Sequence, residues 1–118
     1  MPLHLGAALR LKRSSHFRTA REKGRRLTVG CLTVNWLPTA QGGSHQLGVI
    51  TSRKIGKAVF RNRARRLLRE AFRLHQHDLK QPLILVLVAR SSIVGKSFSF
   101  VERDFVAAMH RANLLKKS

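Results

Sequence analysis

Acidic residues are scarce in this chain. Its 118 residues include five Asp and Glu against 24 Lys and Arg, which gives a formal net charge of +19 at pH 7. Protein side chains that cleave phosphodiesters usually work as clustered carboxylates around metal ions or as an acid–base set. The sequence scatters its carboxylates, so we expect no catalytic residues and no two-metal centre in this chain. The scattered carboxylates are those of Glu22, Glu70, Asp78, Glu102 and Asp104.

Cysteine occurs once, at Cys31. A single cysteine excludes an intrachain disulfide and a zinc site built from several thiolates, and it indicates a reducing, intracellular setting, so we expect a cytoplasmic protein. The best metal candidate is His75-x-His77-Asp78. Because it follows a basic helical pattern, a histidine that interacts with the helix C-terminus and with Asp78 is the simpler interpretation. We therefore expect no metal ion bound by the protein itself.

Long apolar runs are also missing. No stretch of about 18 apolar residues is present, and no predicted helix has a bulky aromatic face, so we expect no membrane contact. The N-terminal segment carries its charges after its apolar residues, which is the reverse of a secretory signal. With 43% hydrophobic residues the chain can still bury a core, and its length predicts one domain. A folded domain this basic indicates a polyanionic partner, with nucleic acid as the first choice.

The positive charge is concentrated in the stretch from Arg53 to Arg73, where nine of 21 residues are Lys or Arg. Apolar residues recur through it at helical spacing and predict a helix from about Ala58 to His77. Like charges one turn apart repel, and a polyanion would relieve that repulsion. Arg is suited to forked contacts with phosphate. The predicted buried stripe of this helix is Phe60, Ala64, Leu67, Ala71 and Leu74.

A nucleic-acid backbone laid along this helix is the predicted use of the charge. The predicted contact surface combines the lead-in to the helix with its basic arc. It consists of Arg53, Lys54, Lys57, Arg61, Asn62, Arg63, Arg65, Arg66 and Arg69.

The same stretch resembles a known family signature. Arg61-Asn62-Arg63, preceded by Lys54-Ile55-Gly56 and followed by Arg65-Arg66-Leu67-Leu68-Arg69, is similar to the signature of the protein subunit of bacterial ribonuclease P. Leu11-Lys12-Arg13, Phe17 and Gly24 match the family's N-terminal pattern. Ala64 departs from the family, because a larger aliphatic residue is usual there, and we expect thinner packing under the helix. The resemblance covers residues 9–115, with a flexible end at 1–8 and a basic tail at 116–118.

The resemblance implies a role in removing the 5′ leader from precursor tRNA. The RNA subunit would carry the chemistry with Mg²⁺, and the protein would bind ribonuclease P RNA and precursor tRNA, with no obligate protein partner. In the family a cleft between the first helix and the sheet holds the single-stranded leader. The residues that match or neighbour this cleft are Arg13, Phe17, Arg21 and Trp36.

Alternatives remain open at two levels. A ribosomal or general RNA-binding protein without a processing role has the same composition, and a DNA-binding protein is third because no helix-turn-helix pattern is present. Phe17 has ordinary helix packing as its alternative to leader stacking. Trp36 falls on one strand face with Leu32 and Val34, so both core and cleft positions are open to it.

The remaining elements follow from periodicity. Ser14 or Ser15 caps a helix that ends near Lys23, and 29–37 alternates as a half-buried strand. Across the turn-rich segment 38–44, residues 46–52 predict the return strand of a hairpin. The continuous apolar run 83–89 predicts a central strand covered on both faces. Ser99 to Glu102 predicts a capping box for a last helix, and its buried residues would be Val101, Phe105, Ala108, Met109 and Ala112.

These elements predict a single α+β domain, a small sheet with packed helices in the order αβββαβα. One short extra strand in that order is implied by the resemblance. The strand–helix–strand order around the basic helix predicts a crossover between parallel strands, which is right-handed by default. The ribonuclease P protein fold, which this order resembles, implies the rare left-handed βαβ crossover.

Overall fold

A five-stranded sheet with two long helices forms the part of the chain that the computed structural model describes, residues 9–10, 22–39 and 45–116. Across the sheet the strand order is β1-β4-β5-β3-β2. Of the predicted first helix, the described residues Glu22 and Lys23 are helical and Gly24 follows them. The elements are β1 (Leu9–Arg10), β2 (Arg25–Val29), β3 (Leu32–Pro38), β4 (Gln46–Ile50), α1 (Ala58–His75), β5 (Leu83–Ala89) and α2 (Phe98–Arg111).

Strand β5 lies at the centre of the sheet. It pairs in parallel with β4 and antiparallel with β3. Leu83, Leu85 and Leu87 belong to the main core with residues of both helices, whereas Val86 is buried in a separate cluster. The predicted central strand is confirmed, and its second face is partly covered, since Ile84 and Val88 are partly buried there. Because α1 joins β4 to its parallel neighbour β5, the predicted crossover between parallel strands is confirmed as well.

The predicted hairpin between 29–37 and 46–52 is wrong. β5 lies between β3 and β4, because its uninterrupted apolar run takes the most buried place in the sheet. The hairpin partner of β3 is β2, the extra strand, and Val29 pairs with Leu32 across a turn at Gly30 and Cys31. β3 is also not half-buried, because Thr33 is 5% exposed.

Helix α1 buries a face that only partly overlaps the one predicted. Its buried residues are Ala64, Leu68, Ala71 and Phe72, whereas Phe60 is 43% exposed. The apolar residues of this helix cover a wider part of its circumference than the core can bury. The buried part is centred on the side that carries Leu68 and Phe72. Ala64 and Ala71 belong to both faces, and an open pocket of about 170 Å³ lies beside Ala64.

Helix α2 begins two residues earlier than predicted. The Ser97 hydroxyl, not that of Ser99, accepts the capping hydrogen bond, from the N–H of Phe100 at 3.3 Å. Glu102 consequently lies beyond the capping position and contacts His75 instead. Four predicted core residues are fully buried and Ala112 is partly buried. The four are Val101, Phe105, Ala108 and Met109.

Candidate nucleic-acid interface

The lead-in to α1 holds two cations at the surface. Residues Arg53–Ile55 form a single 3₁₀ turn. The Ser52 hydroxyl accepts a hydrogen bond from the N–H of Lys54 at 3.3 Å, and Ile55, 5% exposed, anchors the turn in the core. Gly56 follows with φ +114°, a backbone conformation that glycine adopts most readily. Arg53 and Lys54 are exposed as a result.

The first turn of α1 adds positive potential to this surface. It contains no acidic residue, and Lys57 at the N-cap provides no side-chain hydrogen bond to the free N–H groups. Because the helix dipole is positive at this end, the backbone and the cations act in the same direction.

Two arginines of α1 are held by hydrogen bonds. Arg61 Nη1 donates to the Gly56 carbonyl oxygen at 3.0 Å. Arg65 donates from Nη1 to Asn62 Oδ1 at 3.0 Å and from Nη2 to Thr51 Oγ1 at 2.8 Å. A guanidinium has five N–H donors, so donors remain for phosphate after these bonds. Asn62 therefore orients Arg65, a positioning role that the motif alone did not reveal.

Of the nine predicted contact residues, Arg53 and Lys54 lie on the lead-in and Lys57 is the N-cap, and the other six lie on α1 itself. Arg61 and Arg65 lie toward the end of β4, as their bonds show. Arg63 and Arg66 lie toward α2, where they line an open groove with Phe98. All nine are exposed or partly exposed. They are Arg53, Lys54, Lys57, Arg61, Asn62, Arg63, Arg65, Arg66 and Arg69.

The basic arc ends at Arg73. Its Nε donates to Glu70 Oε2 at 2.9 Å, and a second bond joins Nη2 to Glu70 Oε1. The hydrogen bonds from Arg73 lower the pKa of Glu70 below its usual value. This pair neutralises the last turns of α1, so the free positive charge is concentrated toward the start of the helix.

His75 joins α1 to α2 at the far end. Its Nδ1 lies 3.2 Å from Asp78 Oδ2 and its Nε2 lies 2.9 Å from Glu102 Oε2. His77, the other histidine of the metal candidate, is exposed. Within the described ranges no group of three or more His, Cys, Asp or Glu is placed to hold a metal ion. Glu102 is 27 residues from His75, so no local pattern pointed to this contact.

The family model described as Ribonuclease P matches residues 5–113. The chain belongs to the ribonuclease P protein family. It is 38% identical over 109 residues to the ribonuclease P protein component of Syntrophomonas wolfei, covering 92% of this chain and 91% of that one. The chain is also 38% identical to the ribonuclease P protein component of Chloroflexus aggregans, over 92% of this chain and 80% of that relative.

Solved structures of ribonuclease P proteins share the fold. The Staphylococcus aureus protein superposes with a TM-score of 0.83 at 22% identity, over 92% of this chain and 99% of that chain. The Thermotoga maritima protein gives 0.75 at 25% identity, over 88% and 96%. The predicted family and α+β fold class are confirmed. Membership of this family favours a ribonuclease P protein over the ribosomal and DNA-binding alternatives.

The residues matched to the family's leader cleft are only partly described. Arg13, Phe17 and Arg21 lie outside the described residues. Trp36 is 9% exposed and belongs to the main core with Leu32 and Val34, so its predicted strand face is confirmed. It also lines an open pocket of about 320 Å³, and the cations around that pocket are Lys23, Arg25 and Lys80.

Cys31 has no features of a nucleophile. It is 1% exposed, and its N–H donates to Asp104 Oδ2 at 3.1 Å. Burial, together with the neighbouring Asp104 carboxylate, raises the pKa of its thiol to about 12. The thiol is therefore neutral at physiological pH and serves packing. Asp104, 73 residues away, was not linked to Cys31 by any sequence signal. In the described part of the chain no helix is long and apolar enough to cross a membrane.

Proposed function

We propose that this chain is the protein component of a ribonuclease P and helps the RNA subunit to remove the 5′ leader from precursor tRNA. One observation carries the proposal. In a member of this family, the Arg61-Asn62-Arg63 helix presents cations whose orientation is fixed by hydrogen bonds to Gly56, Asn62 and Thr51. Prior ordering of these side chains lowers the entropy lost on binding a phosphate backbone.

The RNA subunit supplies the chemistry in this proposal, with Mg²⁺ bound to the RNA. The carboxylates of the described residues support that division, because four of them already have partners within the fold. Glu70 pairs with Arg73, Asp78 and Glu102 contact His75, and Asp104 accepts from Cys31. We place this work in the cytoplasm, where a chain with one free thiol stays reduced.

Phosphate contacts along α1 position the protein on the RNA subunit and carry little base information. The proposed contacts are the exposed Arg53, Lys54, Lys57 and Arg66, together with the partly exposed arginines of the helix. Binding of this kind is salt-dependent, because each neutralised phosphate releases counterions. The affinity for RNA is therefore expected to fall steeply as salt is raised.

Contact with the leader is the second part of the proposal. Stacking on Phe17 with the charges of Arg13 and Arg21 would hold a strand of mixed sequence, because every base has a π-face. Trp36 belongs mostly to the core at 9% exposure, and only the part of it that lines the pocket with Lys23, Arg25 and Lys80 stays a proposed contact. Recognition of the leader is then tolerant of sequence.

A reconstitution at low magnesium tests the proposal. The purified protein is added to a bacterial ribonuclease P RNA with 5′-labelled precursor tRNA, and it is also assayed alone. Cleavage at the mature 5′ end that requires the RNA and is stimulated by the protein is expected. Tight RNA binding without stimulation would favour the general RNA-binding alternative. Phe17→Ala is expected to weaken binding of precursor tRNA more than binding of mature tRNA.

A further inference from the structure

Three large apolar side chains are exposed in the described part of the chain, and two of them share a pocket. Val59 is 64% exposed, Phe60 43% and Val94 40%. Phe60 and Val94 line the open pocket of about 170 Å³ between the first turns of α1 and the turn that precedes α2. Leaving an aromatic ring in water forgoes the stabilisation that burial would give, so this position suggests a partner.

The pocket is built around the ring of Phe60. On one side the ring lies against the backbone of Gly56, where a Cβ atom would come within 3.6 Å of Phe60 Cδ2. Ala64, one turn along α1, is small and leaves room beneath. At Gly95 an added Cβ would meet nothing within 4 Å, so the pocket opens there. The ring is thus supported on one side and accessible from the other.

Charge identifies the kind of occupant. Arg63 lines the pocket, and the exposed Arg53, Lys54 and Lys57 precede it on the lead-in to α1. An apolar group attached to negative charge suits these surroundings. A second copy of the chain would instead bring another net charge of +19 to the same face, and repulsion opposes that contact. Aromatic rings bordered by cations are the usual platform for single-stranded nucleic acid.

We propose that the pocket at Phe60 binds an unstacked nucleobase of an RNA strand that follows α1. The base stacks on the accessible face of Phe60 and contacts Val94, while Arg63 holds the neighbouring phosphate. Any base fits such a site, because stacking does not read hydrogen-bonding edges. The inference rests on the proposed function, since it needs RNA along this helix.

Substitutions at Phe60 test the site with two probes. One is a short oligoadenylate, and the other is an abasic oligonucleotide of the same length and charge. Phe60→Ala is expected to weaken oligoadenylate binding by about 5- to 30-fold and to leave abasic binding unchanged. Phe60→Trp keeps a stacking face and should retain affinity, whereas Phe60→Leu should behave like the alanine variant. Val59→Ala removes a more exposed apolar group outside the pocket and should change neither affinity.

Four results would overturn the inference. Equal losses on both probes, or no loss on either, would show that Phe60 does not contact a base. Full affinity in Phe60→Leu would show that apolar area and not stacking matters. If sedimentation reveals a dimer that Phe60→Ala dissociates, a second copy of the chain would be the occupant of the pocket. Binding of neither probe by the unsubstituted protein would also contradict the inference, whereas only a reconstitution without stimulation of cleavage would overturn the proposed function, so the two failures are distinguishable.

Discussion

Helices α1 and α2 pack against each other and against the same sheet, yet they use their charges differently. α1 begins without a side-chain cap or an acidic residue in its first turn, and its cations surround that end. α2 begins with the Ser97 cap and ends in a turn closed by backbone bonds. α2 is thus stabilised within the protein, whereas the start of α1 remains suited to an external anion.

The acidic residues sharpen this contrast. Asp104 and Glu102 both lie on α2, and both reach groups elsewhere in the fold, the Cys31 N–H and the His75 ring. On α1 the one acidic residue, Glu70, pairs with Arg73 at the far end of the helix. Charge in α2 therefore supports the fold, whereas the charge at the start of α1 is the part that we propose for binding.

The largest expected effect comes from removing charge from α1. Replacing Arg61, Arg65 and Arg69 together with alanine should reduce RNA affinity about tenfold or more at low salt and lower the salt slope by about 2, because three phosphate contacts are lost. The measurement is RNA affinity across a salt series, with circular dichroism to check folding.

A charge-matched control on the other helix tests the comparison. Replacing Lys96, Arg103 and Arg111 with alanine removes the same charge from α2 and the turn before it. Affinity and slope should change much less than in the α1 variant. Equal slopes in the two triple variants would mean that RNA responds to net charge and not to the α1 surface.

The next effect concerns stability. Asp104→Ala leaves the buried Cys31 N–H without its acceptor and should lower the free energy of unfolding by about 1–3 kcal/mol. RNA affinity of the folded protein should not change. Urea unfolding and the salt series measure the two quantities, and a loss of RNA affinity in the folded variant would contradict the division between the helices.

Gly30 and Asp104 can be compared in a double-mutant cycle. A Cβ at Gly30 would lie 2.1 Å from Asp104 Oδ2, and Gly30 has φ +55°. Gly30→Ala should therefore lower the free energy of unfolding more in the natural protein than in the Asp104→Ala variant. In that variant only the strain of the left-handed backbone, about 1–2 kcal/mol, opposes the substitution. Identical costs in the two backgrounds would show that Asp104 does not occupy the space above Gly30.

The smallest effect is a pH dependence at the end of α1. His45 Nδ1 accepts from the Leu83 N–H at 3.1 Å, so its Nε2 donates to the Gln76 carbonyl. Burial lowers the pKa of His45 from its usual 6.5. The folded state thus favours the neutral ring, and its stability is present above pH 6.5 and is lost as pH falls toward the folded pKa.

His45→Gln should reduce this loss of stability, and His110→Gln, at an exposed position, should not. Thermal unfolding above and below pH 6.5 measures the difference. An unchanged pH dependence in His45→Gln would mean that other groups dominate.

Local patterns predicted the elements that a short window determines. The run Leu83–Ala89 could be recognised as a central strand because it is apolar on both faces, and the basic helix followed from its periodicity and composition. The motif at Arg61 identified the family. The site residues on α1 were predicted for the same reason, since charge spacing along one helix is visible in the sequence.

Long-range contacts could not be predicted in this way. The partner of β3 depended on where β5 inserts, and no local signal decides that. The buried border of α1 was misjudged because Leu67 and Leu68 both lie on a broad apolar arc, and only the sheet determines which of them it covers. Asn62 as the support of Arg65 became visible only when the rotamers were known.

The burial of Cys31 also gives the chain a practical property. Its thiol is 1% exposed and has a pKa of about 12, so almost none of it is thiolate at neutral pH. Thiol-directed dyes and spin labels react with the thiolate. A cysteine introduced on the surface of α1 would therefore be the one that such reagents modify, and distances to a labelled RNA could be measured without first removing the native residue.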